Sequence, residues 1–301
     1  MSRLRVHLLG GMTVFAGSGR SLPIARSCRS MVGYLIAHRH RRISRDELAE
    51  TLWSEHDGDH ARRCLSTALW RLKKATGSDP ALLIFRGTDE VSFNWQAPVW
   101  VDSVALELRV QPLLRINADA LATDTIGRLQ RGLRLYKGDY LKGIDDEWAW
   151  LERERLRNLY LDGLYHLMVA YAAKSDWIHV LEWGRRLNQE EPLREDVHRL
   201  LMRAYACTGN RAKAIVQYQR CQCILQAELG VEPMAETQAL YRELLHSNKS
   251  SAESELSVAA PTLTHVSRRI AGVRRVLTSS RRQIDLAIES LTQADLPQAD
   301  D

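Results

Sequence analysis

The chain has 301 residues, too many for one ordinary core, and its length predicts two domains and a tail. With 45% hydrophobic and 26% charged residues it has a globular composition, and no run of about 18 apolar residues marks a membrane-spanning helix. The excess of positive charge sits in the first third. Residues 1–98 carry 15 Lys and Arg against 9 Asp and Glu, residues 99–248 carry 20 against 21, and residues 249–301 carry 7 against 7. A polyanion partner is therefore sought in the first segment. Five cysteines (Cys28, Cys64, Cys207, Cys221, Cys223) are odd in number and lack CxxC spacing. With no secretory leader in MSRLRVHLLGG, they fit a reducing cytoplasm rather than a disulfide framework.

Two short apolar runs, Leu4–Leu9 and Met12–Phe15, are split by Gly10 and Gly11 and predict a β-hairpin, with a short third strand over Arg20–Pro23. Apolar spacing then predicts a helix over Arg26–His38. Ser44-Arg45-Asp46-Glu47 has the form of a capping box, with Ile43 and Leu48 as its hydrophobic staple, opening a short helix to Trp53. A polar loop, Ser54-Glu55-His56-Asp57-Gly58-Asp59, follows. Asp59 is expected to cap a longer helix, about His60–Ala75, closed by Gly77.

On a wheel of about 100° per residue, Ala61, Ala68, Leu69, Leu72 and Thr76 fall within about 60° of Leu65 and form the buried stripe. Arg63, Thr67, Trp70, Arg71 and Lys74 lie on the far side, and Arg62, Ser66 and Lys73 flank it. Such a face suits a DNA major groove, where Arg reads guanine bidentately and Thr meets a thymine methyl. A merely solvated basic face is the competing reading. The preceding helix and loop give a helix-turn-helix variant. The strands Leu82–Arg86 and Val91–Trp95, turning at Gly87–Glu90, give a wing with Arg86 and Thr88 near its tip.

The segments LRVHLLGGMTVFAG, RRISRDELAETLW, ARRCLSTALWRLKKATG and VWVDSVALE together resemble the N-terminal domain of the SARP family, bacterial transcriptional activators with an OmpR-type winged helix. The resemblance covers nearly all of residues 3–108. It implies that the helix around Arg63–Lys74 reads short direct repeats in double-stranded DNA near a promoter. It also implies that the loop Ser54–Asp59 faces RNA polymerase. Trp70 departs from the family, whose residue there is usually polar.

No strand pattern is found in residues 99–248 beyond Val99–Val101, and from Ile126 onward the apolar spacing is helical. Tyr171–Asp176 aligns with Tyr205–Asn210 at an offset of 34 residues, and the same offset pairs Leu167 with Leu201 and Met168 with Met202. That is the tetratricopeptide period of paired helices. Helices are expected over about 126–136, 146–173, 177–190, 194–208, 210–229 and 234–247. LYKGDYLKGIDDEWAWLERERLRNLYLDGL, PLREDVHRLLMRAYACTGNRAKAIVQYQRC and ELGVEP resemble the bacterial transcriptional activator domain of the same family. Trp148, Trp150, Trp177 and Trp183 read as core or interdomain packing rather than as a ligand pocket.

Residues 248–263 read as a linker and Thr264–Gln293 as a helix whose interrupted heptad (Val266, Ile270, Val273, Leu277, Ile284, Ala287, Leu291) allows a homodimer, with a docked helix as the alternative. No P-loop, GxSxG or HExxH set is present, and no catalytic residue or cofactor is expected. His56 and His60, four apart, read as loop polarity or cap chemistry rather than as metal ligands.

The expected fold is mainly α. A winged helix-turn-helix over residues 1–98 precedes a tetratricopeptide-like domain over 99–248 and a helical tail over 249–301. The expected function is a cytoplasmic, DNA-binding transcriptional regulator with no membrane partner. The rival is a protein–protein adaptor whose winged helix contacts protein.

Overall fold

Short alternating segments open the chain as strands β1 (Leu4–His7), β2 (Thr13–Phe15) and β3 (Ser21–Leu22). Gly10 at φ 93° and Gly11 at φ 121° make the turn between the first two, in the left-handed region that a side chain resists. Helix α1 (Arg26–Ala37) buries Met31, Val32, Leu35 and Ile36. Then come β4 (Ile43–Ser44), α2 (Arg45–Leu52), α3 (Gly58–Thr76), β5 (Leu83–Arg86), β6 (Glu90–Phe93) and β7 (Val99–Val101). The computed structural model describes residues 4–76 and 82–255. The expected closing residue of the third helix, Gly77, lies outside them.

Two small sheets result. One has the order β3-β2-β1-β7, with β7 parallel to β1. The other has the order β4-β6-β5, all antiparallel, and forms the wing.

The helical part follows as α4 (Asp102–Val110), α5 (Thr123–Leu133), α6 (Glu147–Ala173), α7 (Trp177–Glu190), α8 (Glu195–Cys207), α9 (Arg211–Leu229) and α10 (Ala235–Glu255). The 34-residue repeat is a repeat of geometry as well as of sequence. Ser175 and Gly209 both sit at positive φ, 57° and 74°. Asp176 N donates to Tyr171 O at 3.0 Å, as Asn210 N does to Tyr205 O at 2.8 Å. Each turn sends the chain back along its partner helix, giving the hairpins α6–α7 and α8–α9. The first eight residues of the expected linker, 248–255, continue α10 instead. The helix expected over Thr264–Gln293 lies outside the described residues.

The chain divides into two units, Met1–Leu244 and Leu245–Asp301. Within the first, the apolar core runs without a break from Val6 to Ala204. The winged helix is strapped to the helices at several points. Buried Asp102 accepts from Leu8 N (2.8 Å), Leu9 N (3.1 Å) and Ser103 N (2.7 Å). Desolvation holds its carboxyl above the usual Asp value, against the pull of those three donors. Tyr140 Oη donates to Gly33 O at 2.9 Å, and Leu141 N donates to Leu8 O at 2.8 Å. Arg39 and Arg155 pair with Glu107 at 2.7 and 2.8 Å.

Of the four tryptophans, Trp183 is core, and half-buried Trp148 meets Tyr34 edge-on at 5.2 Å across this junction. Trp177 is half-buried against the core. Trp150 corrects the packing expectation, because it is 54% exposed on α6.

Candidate nucleic-acid interface

The interface is built from α2, the turn after it, α3 and the wing. Ser44 caps α2 by accepting from Glu47 N at 3.0 Å. Ile43 and Leu48, the staple residues, are both buried. The return half of the capping box is not what Glu47 does. Its carboxylate pairs with Arg41 at 2.6 Å and accepts from Tyr34 Oη at 3.2 Å, ion pairing outcompeting the cap amide. Arg45 N instead donates to Asp89 O of the wing turn at 2.7 Å, which fixes the wing to the start of α2.

Helix α3 starts two residues earlier than expected. Its cap is Asp57, whose Oδ1 accepts from His60 N at 2.7 Å, and not Asp59. Gly58 and Asp59 thus belong to the first helical turn, while Ser54, Glu55, His56 and Asp57 form an exposed turn before it. The inward stripe is Ala61, Leu65, Ala68 and Leu72, all buried against α1 and α2, and Cys28 Sγ donates to Ala68 O at 3.3 Å. Leu69, assigned to the same stripe, is half-buried at its edge.

Every DNA-facing residue expected on α3 is exposed: Arg62, Arg63, Ser66, Thr67, Trp70, Arg71, Lys73 and Lys74. Arg62 is already engaged. It pairs with Asp46 at 2.8 Å and Asp59 at 3.4 Å, and the Asp46 hydrogen bond raises its pKa while lowering that of Asp46. Ser66 and Thr67 hydroxyls donate to the carbonyls of Arg62 and Arg63, both at 2.9 Å, which leaves the Thr67 methyl as its outward group. Lys74 Nζ sits 5.1 Å over the Trp70 ring, a cation–π contact that accounts for an exposed tryptophan at this position. Among the described residues, Arg63, Arg71 and Lys73 have no acidic partner.

Beside this face the wing presents Arg86, also without an acidic partner among the described residues. Thr88 lies at the tip, where its hydroxyl donates to Asp89 Oδ1 at 2.8 Å. Between α3 and β5 lies a cleft of about 440 Å³ lined by Arg45, Ser66, Leu69, Trp70, Lys73 and Phe85. Trp70 and Phe85 are 60% and 50% exposed.

Arg45 is a site residue that pattern reading misses. Its Nη2 donates to Ser66 Oγ at 3.4 Å, so it stands where α2, α3 and the wing meet. Its place just after a cap residue reads as helix chemistry and hides the tertiary role. Cys64 is a second such residue. It is half-buried, and its thiol lies with His56 and His60, all three ligand atoms falling within 4.8 Å of one another.

The family model for the bacterial transcriptional activator domain matches residues 101–245. The chain is 26% identical over 236 residues to the regulatory protein AfsR of Streptomyces coelicolor, a match covering 77% of this chain and 23% of the relative. It is 24% identical to AfsR of Streptomyces griseus, over 83% of this chain and 25% of the relative. The transcriptional regulatory protein MoaR1 of Mycobacterium tuberculosis is 23% identical over 75% of each chain. The chain thus spans about a quarter of the length of the AfsR proteins. Its fold matches that of Mycobacterium tuberculosis EmbR, solved in complex with a low affinity phosphopeptide. The TM-score is 0.65 at 21% identity, covering 86% of this chain and 71% of that one. Over residues 101–245 the chain thus resembles the bacterial transcriptional activator domain, and over three quarters or more of its length it is similar to proteins named as regulators.

Proposed function

We propose that the chain binds double-stranded DNA sequence-specifically through the outer face of α3. Arg63, Thr67 and Arg71 meet base edges in the major groove. Lys73, Arg45 and the wing residue Arg86 meet phosphate. The observation that carries the reading is the set of cations on α3 and the wing that have no acidic partner among the described residues. Elsewhere in the fold Glu107, Glu190 and Asp196 pair with arginines. Here the helix keeps its charge available, and Trp70 and Phe85 offer apolar contact to sugars and thymine methyls.

The exposed turn Ser54-Glu55-His56-Asp57, with Gly58 and Asp59, faces RNA polymerase in this reading, and two chains bind direct repeats near a promoter. The interrupted heptad of residues 264–293 offers a homodimer contact that would raise the effective concentration of the second chain. The cytoplasm, where DNA and polymerase are found, is the compartment that the reading implies.

The test is selection of bound duplexes from a random pool by the full chain, then titration of the selected duplex at several salt concentrations. Four to six phosphate contacts give a log–log slope of about −4 to −5. No enrichment, or an affinity indifferent to salt, contradicts the reading. Replacing the exposed Glu55 with alanine should leave DNA affinity within about twofold. It should lower transcription in a reconstituted polymerase assay.

A further inference from the structure

His56, His60 and Cys64 recur every four residues, but only the fold makes that spacing matter. His60 and Cys64 lie one turn apart on α3 and therefore on one face. His56 precedes the helix, yet its N donates to Trp53 O at 3.0 Å, and Asp57 caps His60. The turn so made stacks the His56 and His60 rings, with centroids 4.4 Å apart and planes 28° from parallel. One ligand atom from each of the three side chains lies within 4.8 Å of the others. Zinc bonds of about 2.0–2.3 Å at tetrahedral angles place ligand atoms about 3.3–3.8 Å apart, so small side-chain rotations close the set.

We propose that this cluster binds one divalent zinc-class cation, held by a ring nitrogen of His56, a ring nitrogen of His60 and the thiolate of Cys64. Two imidazoles and a thiolate select zinc and its borderline-soft neighbours over magnesium or calcium, which take oxygen ligands. Of the neighbouring carboxylates, Asp57 is committed to the helix cap and Asp59 to Arg62. Water or the exposed Glu55 carboxylate completes the fourth position. On binding, the Cys64 proton leaves to solvent and a metal–sulfur bond forms. The ion clasps the turn before α3 to the first two turns of that helix. The inference does not depend on the DNA reading, since it concerns metal binding by the free protein.

The test uses the full chain, treated with chelator and then titrated in the absence of DNA with zinc and, as a spectroscopic probe, with cobalt(II). One metal per chain is expected, with the thiolate-to-cobalt charge-transfer absorption in the near ultraviolet. Cys64→Ser should abolish that absorption, and both Cys64→Ser and His60→Gln should weaken zinc binding about a hundredfold. A Cys207→Ser/Cys223→Ser double variant, which removes the two exposed cysteines, should keep it. Zinc should raise the melting temperature of the wild type and leave that of Cys64→Ser unchanged. His60 is exposed and Cys64→Ser exchanges a single atom, so these replacements should leave the fold intact, which circular dichroism checks. A wild-type chain that retains no zinc overturns the proposal. So does a zinc affinity that is unchanged in Cys64→Ser or lost in the Cys207/Cys223 double variant.

Discussion

The two sides of the winged helix treat charge in opposite ways. Toward the activator domain, Asp102 accepts three backbone N–H groups, Glu107 is shared by Arg39 and Arg155, and the Tyr140 hydroxyl finds a carbonyl. Burial there demands partners, because an unpaired buried group costs more than its hydrogen bond returns. Toward solvent, α3 and the wing carry Arg63, Arg71, Lys73 and Arg86 without acidic partners among the described residues. Satisfied polar groups hold two parts of one chain together, and unsatisfied exposed ones await a partner from outside. The same helix-turn-helix is thus a structural wall on one side and, in the function proposed above, a recognition surface on the other.

Breaking the wall should cost stability and spare recognition. The largest effect is expected at Asp102. Asp102→Ala leaves the N–H groups of Leu8, Leu9 and Ser103 without their acceptor and should destabilise by about 3 kcal/mol, read from denaturant midpoints. Folded protein should still bind DNA with unchanged affinity.

Gly33→Ala comes next. A Cβ there would stand 2.3 Å from Leu141 Cδ1 and 3.3 Å from the Trp148 ring. Leu141 is buried and held at φ 47°, so it has little room to yield, and the cost should be about 1–3 kcal/mol in the same assay.

The smallest effect on this side is a pH dependence. Burial raises the Glu107 pKa, but hydrogen bonds and charges from Arg155 and Arg39 outweigh it and leave a net lowering below 4.5. The folded value therefore lies below the unfolded one. The stabilisation is complete above pH 4.5 and fades as pH falls through the folded value. Glu107→Gln should flatten that acid limb of the stability profile.

The exposed face of α3 was largely legible in the sequence, the wall much less so. The stripe Ala61, Leu65, Ala68, Leu72 follows helical periodicity, and the cations opposite it follow by elimination. The 34-residue repeat marks the turns at Ser175 and Gly209, because the turn geometry is local. Helix α4 escapes pattern reading because Val104, Leu106, Leu108 and Val110 are spaced by two rather than by three or four. Only Leu106 and Val110 are buried, one turn apart, while Leu108 is 70% exposed. Asp102 looks like an ordinary first-turn acid, and its partners lie more than 90 residues away. Asp57 and Asp59 are equally good caps by type, and the backbone path alone chooses the first. Cys64 has no CxxC partner, so its companionship with His56 and His60 shows only in three dimensions.

The central claim is that the unpaired face of α3 reads DNA, and the comparison of Arg71→Ala with Lys73→Ala tests it most directly. Both residues are exposed, so both variants should fold as the wild type does. Each is titrated on the selected duplex and on a scrambled one. Arg71→Ala should lose about 1–3 kcal/mol on the selected duplex and little on the scrambled one, as expected for a lost guanine contact. Lys73→Ala should weaken both duplexes alike and reduce the salt slope by about one unit. If neither variant changes affinity on either duplex, α3 does not face DNA and the account is wrong.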